Sequence, residues 1–329
     1  VGISENFCRR LILNNIHNHQ KKIALINDVT GFGRCSAAVE LPIISTLRVQ
    51  CCVVPTSIFS NHTGFPSFYF DDYTSKMQKY IDEWKKLELS FNGIATGFLG
   101  SAEQINIVKR FLEEFKTDKT TVVIDPVMGD YGKIYSTYTD EMCQLMKELV
   151  GYADILTPNL TEACILTDTN YHIESEDDKN SKNSQAASKS NQSDENCEIS
   201  DMYANGGVGA SPRKWHEKEL SELAGKLMDM GPKKIVITGI PQNTYIANYC
   251  CEAGMDSFFV KTMKVGTQRS GTGDIFASII AADAVNGVEF RSSVKKASAF
   301  IKKCIMKSIE LDIPLTDGVC FEEVLHTLK

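Results

Sequence analysis

A chain of 329 residues with 43% hydrophobic content is long enough for one large domain around a filled core. No stretch approaches ~18 consecutive apolar residues, so no membrane span is encoded. The formal charge of −7 is concentrated: residues 174–201 hold eight acids and three lysines, and the remainder has no basic run, which argues against a nucleic-acid partner.

Along the chain, residues 1–20 mix Cys, Arg, Asn and His around a short apolar patch and read as a poorly ordered extension. From residue 21 to 329, apolar runs of strand length alternate with segments of helical period. That pattern predicts one α/β domain: a three-layer αβα sandwich on a mostly parallel sheet. Strands are expected at 22–27, 50–56, 93–98, 121–125, 154–157 and 234–238, and an antiparallel edge at 244–251 and 257–263. Helices are expected at 36–46, 75–87, 102–115, 140–151, 212–230, 274–285 and 293–310. The helix at 212–230 has Ser211 as N-cap, Pro212 at its first position and Gly231-Pro232 as its stop. Residues 174–210 interrupt the alternation. This Ser/Asn/Asp/Lys-rich stretch, extended by a Gly-rich one, cannot bury enough surface to offset ordering entropy and is expected to be a disordered insertion within the domain. The eleven cysteines show no CxxC and no framework spacing, and adjacent pairs such as Cys51-Cys52 lie in apolar runs. Buried free thiols in a reducing cytoplasm are the expectation.

Three segments carry chemistry. Gly271-Thr272-Gly273-Asp274 opens an apolar helix; glycines let a ligand approach the backbone, and the first-turn N–H groups and the helix dipole favour an anion. Asp274 in that positive field is expected to have a lowered pKa and to be ionised, as a base requires. The bland alternative is that Thr272 caps the helix and Asp274 offsets its dipole. Asp125-Pro126-Val127-Met128-Gly129-Asp130 follows one strand, and Thr157-Pro158-Asn159-Leu160-Thr161-Glu162 follows another. Both put carboxylates past the carboxyl ends of parallel strands, where open α/β sheets bind ligands. Asp125, Asp130 and Glu162 are candidates for holding Mg²⁺, directly or through waters. Taken alone, Asn159 and Glu162 also make a capping box and Asp125-Pro126 a turn. Gly31-Phe32-Gly33 lacks the third glycine of a dinucleotide fingerprint, and the second strand ends without an acid, so a Rossmann dehydrogenase is disfavoured. There is no P-loop either.

Together these motifs resemble the ribokinase-like small-molecule kinases, in the same order and at similar spacing. Phe59-Ser60-Asn61-His62-Thr63-Gly64-Phe65 resembles the pyridoxal kinases within them, and Ile26-Asn27-Asp28 with Gly31-Phe32-Gly33-Arg34-Cys35-Ser36 their bacterial pyridoxal/pyridoxamine kinase branch. The resemblance runs from about residue 22 to 311 without the insertion. It implies ATP-dependent phosphorylation of the hydroxymethyl group of a B6 vitamer, with Asp274 as base and the Gly271, Thr272 and Gly273 amides as anion hole. It implies an ATP site at Asp125, Thr157, Asn159, Thr238 and Gly239, and Mg²⁺ at Asp125, Asp130 and Glu162. The vitamer is expected against Asp28, Phe59, Thr63 and Phe98, with Asp274 at its hydroxyl and Tyr135 on a flap. His62 is expected to hold position. A monovalent cation such as K⁺, a homodimer and a cytoplasmic location are implied as well. The rivals are a hydroxymethylpyrimidine kinase of the same fold and a non-catalytic vitamer-binding protein.

Overall fold

The computed structural model describes His17, residues 19–171 and residues 215–328. The predicted extension and insertion lie almost wholly outside the described residues.

Eleven strands and eight α-helices are described: β1 (Lys22–Phe32), α1 (Ser36–Thr46), β2 (Gln50–Asn61), β3 (Phe70–Asp72), α2 (Thr74–Lys86), β4 (Gly93–Thr96), α3 (Ala102–Phe115), β5 (Thr121–Ile124), β6 (Gly129–Asp130), β7 (Lys133–Ile134), α4 (Asp140–Val150), β8 (Ile155–Leu156), α5 (Leu160–Leu166), α6 (Glu217–Asp229), β9 (Lys234–Gln242), β10 (Tyr245–Glu252), β11 (Phe258–Met263), α7 (Thr272–Asn286) and α8 (Phe290–Glu310). Nine strands form one sheet in the order β11-β10-β9-β8-β5-β4-β1-β2-β3. The six central strands are parallel; β10, β11 and β3 run antiparallel at the edges.

Alternation along each buried strand divides the core between two faces. Ala24 and Ile26 of β1 pack with α2 to α6, while Ile23 and Leu25 face α1, α7 and α8. The helix α7 is buried from Ile275 to Asp283 without a polar face, as a helix enclosed on all sides must be. At the end of that run, Asp283 pairs with Lys296 of α8 at 2.7 Å. The sandwich of the sequence reading is therefore present, with differences at the ends of elements.

β1 and β2 outrun their predicted ends because they continue pairing as a ribbon beyond the sheet, with Thr30 opposite Phe59 and Phe32 opposite Asn61. A register shift between Asn27 and Val29 sets Asp28 opposite a bulge of β2 at Thr56 and Ser57. The helix predicted at 212–230 is described from Glu217, with His216 as N-cap and its N–H donated to the Glu219 carboxylate at 2.9 Å. Ser211 and Pro212 lie outside the described residues. Short α5 and the hairpin β6–β7 were not expected; two- to seven-residue elements carry too little periodicity to read.

Candidate active site

All the chemistry-bearing segments gather at the carboxyl ends of the parallel strands. Gly271 is the N-cap of α7 at φ 87°, a left-handed conformation, and a Cβ there would lie 2.3 Å from the Arg34 carbonyl oxygen. Glycine is required on both counts. Arg34 is itself held by Glu322, Nε to Oε1 at 2.8 Å. The Thr272 hydroxyl donates to the Arg269 carbonyl at 3.2 Å and so does not cap the helix. Gly273 has open space where a Cβ would stand, leaving first-turn N–H groups, which lack intrahelical partners, accessible to an anion.

Asp274 departs from the expectation in one respect. Its pKa is raised to about 6 rather than lowered: burial is the main cause, and neighbouring Asp28 adds to it. The N–H of Ser36, its own N–H and the Asn27 side chain pull the other way without cancelling that cost. The dipole argument fails because it ignored desolvation, which outweighs a helix terminus for an enclosed carboxyl. Ser36 reaches Asp274 from a strained backbone at φ 55°, the kind of cost that persists where the surroundings enforce it.

A second cluster adjoins. The Asp125 carboxyl accepts from the Thr157 hydroxyl at 3.1 Å, and burial, with Asp274 next, raises its pKa to about 7. Glu162 completes the capping box with Asn159: its oxygens accept from the N–H groups of Met128 (3.2 Å) and Asn159 (2.7 Å). The Asn159 amide also donates to the Gly129 carbonyl at 2.8 Å. Asp130 sits on the β6–β7 hairpin, accepting from Tyr131 N–H and from Gln268. Among the described residues no three His, Cys, Asp or Glu side chains are placed to hold a metal ion directly. The three predicted Mg²⁺ carboxylates therefore do not form one direct shell, since Glu162 is committed to backbone donors. They fit a cation that keeps most of its waters: burial, then Asp274 for Asp125 and Asp125 for Glu162, raises the pKa values of these two carboxyls, a penalty that a nearby dication relieves.

At the next strand end, Thr238 N–H donates to Pro158 carbonyl at 2.9 Å, and Gly239, at φ 70°, lies in a bulge whose N–H is held by buried Asn248. No atom occupies the space beside Gly239. Nearby, β11 and α8 border a groove of about 490 Å³ lined by Met263, Met306, Lys261, Lys302 and Lys303.

On the β1–β2 side, Phe59 is buried and meets Phe98 edge-on at 6.4 Å, with Phe70 and Phe68 at 4.8 and 5.9 Å. Asp28 is 3% exposed and accepts from the Thr30 hydroxyl at 2.7 Å; burial raises its pKa. It stands on a strand that continues past it, opposite the β2 bulge. Thr63 is exposed on the turn after β2. His62 fixes that turn: Gly64 N–H donates to Nδ1 at 3.0 Å, so Nε2 carries the proton that meets the Thr316 carbonyl at 2.6 Å. Tyr135 is half-buried behind the hairpin, its N–H on the Met128 carbonyl. The residue at the hairpin tip is Tyr131, whose hydroxyl donates to Gln268 at 2.6 Å.

The sequence reading missed Asn27, Ser36, Glu40 and Gln268. Glu40 had a visible signal, a lone acid in the apolar run of α1; the others are ordinary polar residues whose partners are distant in the chain.

With this geometry the chain matches the sequence family described as phosphomethylpyrimidine kinase over residues 41–193 and 209–315, most of its length. The chain belongs to this family. Within it, a Bacteroides thetaiotaomicron protein assigned provisionally as a phosphomethylpyrimidine kinase is 33% identical, with a TM-score of 0.80 over 95% of this chain and 96% of its own. A second crystal form of that protein contains pyridoxal and superposes with a TM-score of 0.78, at 33% identity over 94% of this chain and 96% of its own. The pyridoxal kinase of Arabidopsis thaliana is 35% identical over 127 residues, 36% of this chain and 39% of that relative. The matches to the first curated relatives thus span about two fifths of their length.

Proposed function

We propose that this chain is a pyridoxal kinase, transferring the γ-phosphoryl group of ATP to the hydroxymethyl group of pyridoxal, pyridoxine or pyridoxamine. The observation that carries the reading is the juxtaposition at the start of α7: an open Gly273 N–H beside the Asp274 carboxylate, at the same strand-end edge of the sheet as the Phe59–Phe98 wall. Phosphoryl transfer needs alignment of two substrates and stabilisation of charge more than covalent chemistry. The aromatic pair and Asp28 orient a flat heteroaromatic alcohol so that its hydroxyl meets Asp274. Asp274 takes the hydroxyl proton, and the first-turn amides of α7 receive the charge of the moving group. A pKa near 6 leaves Asp274 mostly ionised at neutral pH yet basic enough to accept that proton.

ATP phosphates lie along Asn159, Thr238 and Gly239, and the open bulge at Gly239 leaves room for them. The groove between β11 and α8, apolar in its methionines and cationic in its lysines, suits a purine with its charged tail. Mg²⁺, held by Asp125 with Asp130 and Glu162 through water, would neutralise phosphate charge. A monovalent cation, a homodimer and a cytoplasmic location complete the proposal; no described helix is long and apolar enough to cross a membrane.

A second reading is supported by the family match itself: hydroxymethylpyrimidine kinase, whose substrate is also a flat heteroaromatic alcohol. The deciding experiment incubates the protein with ATP, Mg²⁺ and each alcohol in turn and identifies the phosphorylated product by mass spectrometry. A vitamer 5′-phosphate as the fastest product is expected. Exclusive phosphorylation of hydroxymethylpyrimidine would replace the first reading with the second, and no product from any alcohol would remove both.

A further inference from the structure

Asp274 is held by a network that starts one helix away. At the end of central strand β1, the Asn27 carbonyl oxygen accepts from the N–H groups of Asp28 (2.9 Å) and Phe98 (2.8 Å). Two backbone donors on one oxygen settle which end of the amide is which and fix its plane. That leaves the NH₂ end to be held by its own acceptors. It donates to Glu40 Oε2 at 2.6 Å, and the same side chain favours the charged form of Asp274. We propose that Glu40 is a positioning residue for the transfer: it anchors Asn27 so that the second amide hydrogen holds the Asp274 carboxylate toward the substrate hydroxyl. The proposal rests on the kinase reading above.

Geometry on α1 supports this. Ser36 and Glu40 are four residues apart and share one face of the helix. The Ser36 N–H favours the charged form of Asp274, while Glu40 accepts from Asn27, so two positions of α1 act on the base. Glu40 is 2% exposed in a helix that otherwise buries Ala37, Val39, Ile43 and Ile44. A buried carboxyl is costly wherever a hydrophobe fits, and packing alone does not explain an acid in this run. The Asn27 amide occupies the space a side chain at residue 97 would need: a Cβ on Gly97 would lie 2.3 Å from its nitrogen, so only glycine admits the amide here. The titratable groups facing Glu40 come from several elements: Asp274 of α7, Asp125 beyond β5, Asp28 of β1 and the Cys51 thiol of β2. Among so many acids, burial first and Asp274 next raise its pKa well above the ordinary range. Accepting a hydrogen bond, which a neutral acid or an amide can also do, is therefore the property that matters.

The test compares Glu40→Leu, which removes the acceptor, with Glu40→Gln, which keeps it, using whichever alcohol the wild-type protein phosphorylates. Absence of turnover in wild type would refute the kinase reading, whereas the behaviour of the variants relative to an active wild type judges Glu40. Expected for Glu40→Leu is a ~10- to 100-fold loss of kcat with both KM values within about threefold. The acid limb of its pH–rate profile should move upward, because Asp274 loses a donor that favours its charged form. Glu40→Gln should recover most of that loss and return the acid limb toward the wild-type position. In an Asn27→Ala background, Glu40→Leu should cost little more, since the two act in series. If Glu40→Leu does not fold, Glu40→Asp, whose oxygen is one methylene short of Asn27, should show the same kcat loss. Wild-type kcat and acid limb in Glu40→Leu or Glu40→Asp, or equal damage in Glu40→Gln and Glu40→Leu, would overturn the proposal.

Discussion

The floor and the rim of the site are built on opposite principles. The floor is polar and enclosed: Asn27, Asp28, Glu40 and Thr157 are all buried, and their hydrogen bonds connect β1, α1 and the ends of β4, β5 and α7. The rim is apolar and open: Phe32, Phe68 and Tyr69 are 54%, 43% and 66% exposed beyond the sheet edge. A buried hydrogen-bonded network has one arrangement and fails abruptly when a member is lost. An exposed aromatic surface acts through area and loses it in proportion. Floor substitutions should therefore act on kcat, and rim substitutions on the KM of the alcohol.

The largest effect expected is that of Asp274→Asn, a floor change that keeps shape and removes basicity. It should lower kcat by ~10²–10⁴, the usual worth of a positioned base, with KM values within about threefold. For wild type, kcat should fall as pH drops through about 6, where Asp274 becomes protonated. A variant with near wild-type single-turnover rates would remove the base from the floor.

The same burial has a cost in stability. Asp125 and Asp274 have folded-state pKa values raised from 3.8 to about 7 and about 6, so the folded protein binds more protons than the unfolded chain between those values. Stability from this source is fully present below pH ~4 and is lost as pH rises through the folded-state values. In the absence of Mg²⁺ and nucleotide, the part of the melting curve set by these groups should therefore weaken from pH 5 to pH 8. Asp125→Asn, which carries no charge to bury, should flatten that dependence. An unchanged slope in the variant would mean that the floor carboxyls are better solvated than their enclosure indicates.

What could be read from the sequence divides along the same line. The strand-end carboxylates, the glycine turn and the aromatic positions lie in contiguous motifs, and the strand–helix alternation placed them at one edge of the sheet. The direction of the Asp274 shift did not follow, because desolvation depends on neighbours from β1 and α1 that no local pattern joins to residue 274. Asn27 was invisible for the same reason: its partners Glu40, Phe98 and Asp274 are far from it in the chain. The metal reading met the opposite situation. Asn159 and Glu162 had a local explanation, the capping box, and the structure uses it.

Asp28 is the floor residue closest in role to the rim, since the proposed function gives it contact with the vitamer. Asp28→Asn keeps an oxygen for the Thr30 hydroxyl and removes the charge. The expected result is a rise of at least about tenfold in the vitamer KM, ~1.4 kcal/mol, with the ATP KM within about twofold. The effect should shrink as pH rises above the pKa of the ring nitrogen, where the pyridinium is lost and a charge-assisted bond is no longer available. Equal KM values across that range would confine Asp28 to holding Thr30.

The smallest effect belongs to the rim. Phe68 is 43% exposed and touches the site only through Phe59, whose ring lies 5.9 Å away at an interplanar angle of 54°. Phe59 keeps two other aromatic neighbours, Phe70 at 4.8 Å and Phe98 at 6.4 Å. Phe68→Ser therefore removes one of three contacts and admits water to one edge of the wall without unseating it. An aromatic pair contributes ~0.5–1.5 kcal/mol beyond its area, and partial exposure puts this one at the low end. The vitamer KM should rise about two- to fivefold, with kcat and the ATP KM within twofold. A fall in kcat above tenfold at constant KM would contradict the division itself: it would mean that the open rim, like the floor, aligns the hydroxyl with Asp274.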